Sequence, residues 1–359
     1  MYEDWFTQVG GPDVWDEWTM SQKLGDRMVD VLNQHMSSWF IESDMDTIHR
    51  AGVNMIRVPI GYWAFVQNAP GEPYKNTTQL DRLSDVLTWA HQRKTYVLVD
   101  MHGLPGSQNG DQSSGRNTSL QTNGPIPWYS TANQQLSLQT LDAMLAWIDR
   151  HPSRSVVSGV TSVNEPQTFS NASHLDALKK FYTNSLHACK KYKMPLIAHH
   201  GFVDNPYEYW HDFFDDNDPA MLVFDDHPYP GWFPPREDKD AISDVVCGLG
   251  KSAHGFPSPV LMGEYSAVTN INTTAYTTSF MASQLGTYGW SAGSMFFNFK
   301  VNSTEHPVLA EAPVIMDKYS MFAMQKQGSF PSRPQSNAPS NFTDALPNPC
   351  GSDPKESWS

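Results

Sequence analysis

The sequence predicts an α/β protein built on a parallel sheet, with its chemistry at the carboxyl ends of the strands. Three observations lead there. Short apolar runs alternate with longer segments of helical period. The run Val156-Val-Ser-Gly-Val-Thr-Ser-Val-Asn164-Glu165-Pro166 stops at an amide, a carboxylate and a proline, and proline cannot extend a central strand. The run Pro259-Val-Leu-Met-Gly-Glu264-Tyr265-Ser266 ends in a similar way. Seven strands are expected, near residues 54, 97, 160, 197, 223, 261 and 296. A (β/α)8 barrel needs eight strands, whereas a doubly wound sheet accepts seven. No Gly-x-Gly-x-x-Gly turn follows the first strand, so a dinucleotide fold lacks its signature.

Taken in order, the chain opens with many aromatics (Trp5, Phe6, Trp15, Trp18, Trp39, Phe40) and one amphipathic helix over about 20–36. Ser43 opens a short helix that Gly52 closes. The first strand is Val53–Pro59. Leu80, Leu83, Leu87 and Ala90 give a helical stripe, and Thr95–His102 is the second strand. Residues 103–133 are rich in Gly, Ser, Asn, Gln and Pro; a loop this long inside a compact domain is usually functional. Leu138, Leu141, Met144, Leu145 and Ile148 mark a helix before the Asn-Glu-Pro strand. Leu175, Leu178, Phe181, Tyr182 and Leu186 mark the helix after it. Strands follow at 195–200 and 221–227, then a loop containing Cys247, then the strand at 259–264. A helix near 274–288 leads to the last strand, 293–300. Residues 1–330 are read as one catalytic domain, and 331–359 as an extended tail that packs back on it.

The formal net charge is −14, and no Lys/Arg cluster exceeds Lys179-Lys180 and Lys190-Lys191. Nucleic acid and anionic membrane surfaces are therefore excluded as partners. No apolar run reaches the roughly 18 residues of a membrane span. Twelve Trp, 14 Tyr and 18 Phe supply planar rings that can fill a core or stack on sugar faces. The opening Met1-Tyr-Glu-Asp lacks the apolar core of a secretory leader. Six Asn-x-Ser/Thr sequons nevertheless favour secretion, at Asn76, Asn117, Asn171, Asn272, Asn302 and Asn341. Three cysteines, Cys189, Cys247 and Cys350, allow one disulfide and one free thiol and show no metal-ligand spacing.

Polar residues gather at the expected strand tips: Arg57, His102, Asn164, Glu165, His227, Tyr229 and Glu264, with Trp232 just beyond. Two glutamates facing one pocket suit glycoside hydrolysis, one donating a proton to the leaving oxygen and the other attacking the anomeric carbon. Asn164 could bind the sugar 2-hydroxyl. Arg57 and Tyr229 could keep one glutamate ionised, and His227 could orient the other. A metal hydrolase is the rival reading, with His102, His227 and the carboxylates as ligands. No His-x-His or Glu-x-x-His spacing supports it.

Five segments occur in one order: Gly52-Val-Asn-Met-Ile-Arg-Val-Pro-Ile-Gly-Tyr-Trp-Ala-Phe65, Asp100-Met-His-Gly-Leu-Pro-Gly-Ser-Gln-Asn-Gly110, Asn164-Glu-Pro166, His227-Pro-Tyr229 and Gly263-Glu-Tyr-Ser266. Together they resemble glycoside hydrolase family 5, and within it the fungal exo-β-1,3-glucanase group. The match runs from about residue 15 to Cys350. It implies a (β/α)8 barrel and retaining hydrolysis of β-glucosidic bonds, without a metal or other cofactor. By position, Glu165 resembles the acid/base and Glu264 the nucleophile. Arg57, His102, Asn164, His227 and Tyr229 fall on the family's positions around the first glucose subsite. Cys247 and Cys350 match a paired set, which leaves Cys189 free.

Four departures accompany the resemblance. The group's opening strand, a Gly-x-Asn-x-Gly-Gly-Trp segment followed by a substrate-binding glutamate, has no counterpart here. Phe297 stands where the group usually has a sugar-stacking Trp. An aromatic expected between Gly110 and Asp111 is missing, and Trp232 is the candidate for the opposite jaw. The segment between Glu264 and the last strand is short. The expectation is a monomeric, secreted exo-β-1,3-glucanase acting on a β-glucan, its barrel lacking the first strand in this chain. The alternatives are a β-glucosidase acting on a β-1,6-glucan, a disaccharide glycoside or a glycolipid, and an inactive carbohydrate-binding barrel.

Overall fold

The structure is a computed structural model that describes residues 3–118, 126–301, 305–306, 314–331, 346 and 348–351. The sequons at Asn302 and Asn341, and most of the expected tail, lie outside the described residues. The chain divides into two compact units, Met1–Trp210 with Asp216–Val223, and His211–Asp215 with Phe224–Ser359.

The first unit opens with four helices, α1 (Glu3–Gly10), α2 (Glu17–Leu24), α3 (Arg27–Trp39) and α4 (Glu42–Arg50). The helix expected over 20–36 is thus two. The apolar stripe continues from Met20 to Leu32, but the chain turns at Gly25 with φ +56, a conformation that costs glycine little. Phe6, Val14, Met20, Met28 and Leu32 bury themselves in one cluster, so these helices have an apolar core of their own. Asp16 caps α2, accepting from the Thr19 amide at 2.7 Å.

Strand and helix then alternate: β1 (Met55–Gly61), α5 (Gln79–Arg93), β2 (Tyr96–Gly103), α6 (Thr131–Arg150), β3 (Val157–Thr161), α7 (Ala172–Lys191) and β4 (Leu196–His199). The pairs are parallel and follow chain order, with Met55 opposite Tyr96, Val160 opposite both Val99 and Leu196, and the Leu196 amide donating to Met221 O at 2.9 Å. Val97, Leu98, Val99, Asp100 and Met101 of β2 are all buried, so both faces of this strand are covered, as parallel sheets require. The apolar stripes of α5, α6 and α7 (Leu87, Met144 and Leu178 among them) are buried as their spacing predicts.

Helix α8 (Pro206–Asp215) and strand β5 (Leu222–Asp226) carry the chain from one unit into the other. The second unit continues through α9 (Lys239–His254), β6 (Val260–Tyr265), α10 (Thr274–Tyr288), β7 (Ser294–Phe296) and α11 (Met321–Lys326), with Phe224 opposite Val260 and Met262 opposite Ser294 in parallel register. Cys247 sits on α9, where the sequence reading expects a loop. Ile242, Val246 and Ala253 form that helix's buried stripe, but Gly248 and Gly250 mask its period. Gly250 lets α9 approach α10, because a β-carbon there would stand 2.2 Å from Thr287 Cγ2. Cys247 is disulfide-bonded to Cys350, and Cys189 is a buried free thiol.

Neither unit shows the reversal of strand order that defines a doubly wound sheet. The fold class is the (β/α)8 barrel, with seven parallel barrel strands among the described residues. No helix among them is long and apolar enough to cross a membrane.

Candidate active site

Pleating puts every second side chain of a strand on one face. In β2 this pairs Asp100 with His102, and His102 Nδ1 lies 2.7 Å from Asp100 Oδ2. The same carboxylate oxygen takes Arg57 Nη2 at 3.0 Å from the adjacent strand β1. Asp100 is fully buried and Arg57 nearly so; a buried ion pair holds only with further hydrogen bonds to its members. Arg57 supplies one by donating to Asn164 Oδ1, and Asn164 Nδ2 stands 3.4 Å from His102 Nε2. Gln108 then fastens two strand ends together. Its amide donates to the carbonyls of His102 at 2.7 Å and Asn164 at 2.9 Å. Strands β1 and β2 and the segment just past β3 thereby hold Arg57, His102 and Asn164 in one network centred on Asp100.

Glu165 follows this network directly. It is half-buried and has φ +47, an uncommon backbone state for a residue with a side chain. The strand has already ended at Thr161. Asp111 feels Glu165: partial burial, and then the negative charge of Glu165, hold the Asp111 carboxyl above its ordinary range.

The second unit repeats the Asp-x-His spacing at the end of β5. His227 Nε2 lies 3.2 Å from Asp225 Oδ2, and His227 Nδ1 is 3.8 Å from Glu264 Oε1. Tyr229 donates its hydroxyl to Glu264 Oε2 at 3.0 Å. Glu264 is buried at the end of β6. The residue before it must be glycine, since a β-carbon on Gly263 would stand 2.0 Å from Asp225 Oδ1. Phe297, just past β7, donates its amide to Tyr265 O at 2.8 Å. Its ring lies 6.4 Å from that of Tyr319, which lies 6.2 Å from that of Tyr229. Burial pushes the Tyr319 hydroxyl up to about 12; a hydrogen bond with Ser266 opposes this, and the charge of Glu264 adds to it. Trp232 is only 4% exposed, and the surface ring beside it is Phe233, at 66%.

Each unit therefore carries one of the two glutamates on a strand-end loop or strand end, and an Asp-held imidazole, which in the second unit lies 3.8 Å from Glu264. The first unit gathers Arg57, His102 and Asn164, and the second gathers His227, Tyr229, Glu264 and Phe297. Sequence reasoning missed Asp100, Asp225, Gln108 and Tyr319 as members. The repeated Asp-x-His at 100–102 and 225–227 was the available signal for the two aspartates. Arginine and imidazole fixed by buried carboxylates offer oriented donors to the hydroxyls of a polar ligand. A carboxylate oxygen that accepts from a phenol hydroxyl is held in a fixed orientation.

A family model described as cellulase (glycosyl hydrolase family 5) matches residues 25–295. A probable glucan 1,3-beta-glucosidase A of Aspergillus fumigatus is 34% identical over 279 residues, which cover 75% of this chain and 63% of that protein. Glucan 1,3-beta-glucosidase 1 of Schizosaccharomyces pombe is 33% identical over 267 residues, 73% of this chain and 62% of that one. The chain thus spans less than two thirds of the length of these relatives. Among solved structures, a rutinosidase from Aspergillus niger superposes with a TM-score of 0.78 at 20% identity, covering 92% of this chain and 93% of that one. That likeness concerns the fold.

Proposed function

The chain belongs to glycosyl hydrolase family 5, and from that membership we propose that it is a retaining β-glucosidase of exo-1,3 type. The observation that carries the reading is the buried Glu264, which receives the Tyr229 hydroxyl at 3.0 Å beside an Asp-held imidazole. In this reading Glu264 attacks the anomeric carbon as the glycosidic C–O bond breaks. Glu165 gives its proton to the departing oxygen, so a neutral alcohol leaves and a glucosyl ester of Glu264 remains. Glu165, now ionised, takes a proton from water. That water opens the ester, releasing glucose with its anomeric configuration retained and restoring both carboxyls. Asn164 holds the 2-hydroxyl. Arg57 and His102, fixed by Asp100, bind and orient the same sugar.

The names of the two relatives, a probable glucan 1,3-beta-glucosidase A and a glucan 1,3-beta-glucosidase 1, support the linkage. A second reading keeps the chemistry and changes the substrate to a β-1,6-glucan, a disaccharide glycoside or a glycolipid. Phe297 in place of a tryptophan, and no aromatic between Gly110 and Asp111, favour it. The exposed sequon asparagines Asn76, Asn171 and Asn272 are compatible with secretion as a monomeric glycoprotein. The test of the chemistry is covalent trapping. A 2-deoxy-2-fluoro-β-glucoside should label the peptide containing Glu264, and label elsewhere or none would overturn the assignment. Relative rates on laminarin, pustulan and rutinosides separate the two substrate readings.

A further inference from the structure

We propose that Gln108 is a positioning residue for the general acid: it grips the backbone on both sides of Glu165 and so aims that carboxyl at the leaving oxygen. The inference rests on Glu165 being the acid in the proposed reaction. Gln108 lies on the loop after β2, and Glu165 lies on the loop after β3. Both loops leave the carboxyl ends of their strands, the end where barrel enzymes place their sites.

The backbone of Glu165 needs such a grip. Its φ of +47 is uncommon for a residue with a side chain. Pro166 follows it, and a proline pushes the residue before it toward extended backbone. Glycine takes the left-handed state readily, but glycine carries no acid. A conformation of this kind persists only where the surrounding structure over-determines it.

The enforcing bonds converge on one residue. Gln108 Nε2 donates at 2.9 Å to Asn164 O, the last carbonyl before Glu165. Pro166 has no N–H, so the first amide after Glu165 is that of Gln167, and it donates to Gln108 O at 3.0 Å. Gln108 is itself held at β2. Its Nε2 also donates to His102 O at 2.7 Å, and its Oε1 accepts from the Leu104 amide at 3.2 Å. The residue is fully buried, so these bonds are shielded from water. Among uncharged side chains only a primary amide offers two N–H donors and an acceptor together. The end of β2 thereby fixes where the acid stands. Misplacement of a reacting group by about 1 Å can cost on the order of a hundredfold in rate.

The experiment compares the parent with Gln108→Met, which keeps the length of the side chain and removes both donors. kcat/KM is measured for phenyl β-glucoside, whose leaving group departs poorly without a proton, and for β-glucosyl fluoride, whose fluoride departs without one. Both constants report the step that forms the glucosyl ester of Glu264. A misplaced acid predicts that in Gln108→Met the ratio, phenyl over fluoride, falls roughly tenfold to a hundredfold. The double variant Cys247→Ser with Cys350→Ser, destabilised with Gln108 in place, should keep the parental ratio. An unchanged ratio in Gln108→Met, or an equal fall in the disulfide variant, overturns the proposal. Absence of turnover on both substrates by the folded parent would instead defeat the hydrolase reading. Hydrogen exchange then decides the positioning. A Gln167 amide accelerated in Gln108→Met beyond the Val160 amide of β3 supports it; equal acceleration of the two, or none, overturns it.

Discussion

The Tyr229 hydroxyl donates to Glu264 Oε2 at 3.0 Å, so a single phenol proton orients the carboxylate assigned as nucleophile. A hydrogen bond to a charged group contributes about 1.5–3 kcal/mol. Tyr229→Phe should therefore lower kcat on an aryl β-glucoside by roughly tenfold to a hundredfold. The phenyl ring keeps the packing against Phe233 and Tyr319, so the melting temperature should hold. A loss below twofold would remove Tyr229 from the mechanism.

Gly263 is required by Asp225. A methyl at Gly263 would stand 2.0 Å from Asp225 Oδ1. The carboxylate must then move, and it is the group that fixes His227. Gly263→Ala should cost about 1–3 kcal/mol of stability in urea unfolding, and activity should fall further than the stability loss explains. Parental stability and turnover together would show that the contact yields without consequence.

Glu17 makes stability depend on pH. Burial pushes its carboxyl from 4.5 up to about 7, with the Trp63 side chain opposing the shift. Between those values the unfolded chain has lost the proton that the folded chain keeps. The folded state then binds more protons, so its stability falls as pH rises across that window. The full effect is on the order of 3 kcal/mol. Glu17→Gln should remove that share of the decline, seen as a smaller drop in unfolding free energy between about pH 4.5 and 7. Glu72, which burial also pushes up to about 7, is present in both proteins, so the difference isolates Glu17. Identical slopes for the two would contradict the assignment.

The Cys247–Cys350 bond closes a loop of 103 residues in sequence separation. Cross-linking so long a loop restricts the unfolded chain strongly. Replacing both cysteines by serine should cost about 2–5 kcal/mol, read as a lowered urea midpoint. Cys189 remains as the single thiol in that variant, buried and pushed up to about 12, and should react slowly with thiol reagents until the protein unfolds.

Strand ends were legible where the sequence changes character abruptly. Val163-Asn164-Glu165-Pro166 passes from β-branched to polar to proline, and the two glutamates stood out for that reason. Asp100 and Asp225 did not. A lone aspartate inside an apolar run has no local mark of burial, and its meaning lies in the partner two residues on and in Arg57 on another strand. Helix α9 was hidden because Gly248 and Gly250 have poor helical propensity, although Gly250 is there for close packing on α10. Adjacent aromatics posed a different limit. Periodicity fades in a loop, so nothing in Trp232-Phe233 says which ring is buried; the structure buries Trp232 and exposes Phe233. The left-handed backbones of Glu165, Phe169 and Phe202 were equally invisible, since none of the three favours that conformation.

The most direct test of the central claim is glucose release from laminarin by the folded chain beside its Glu264→Gln variant. The amide keeps the shape and can still accept from Tyr229, but it cannot attack carbon. The account predicts steady glucose release by the parent and a loss of at least about a thousandfold in the variant, as expected when a covalent catalyst is removed. Equal turnover by the two proteins would contradict it.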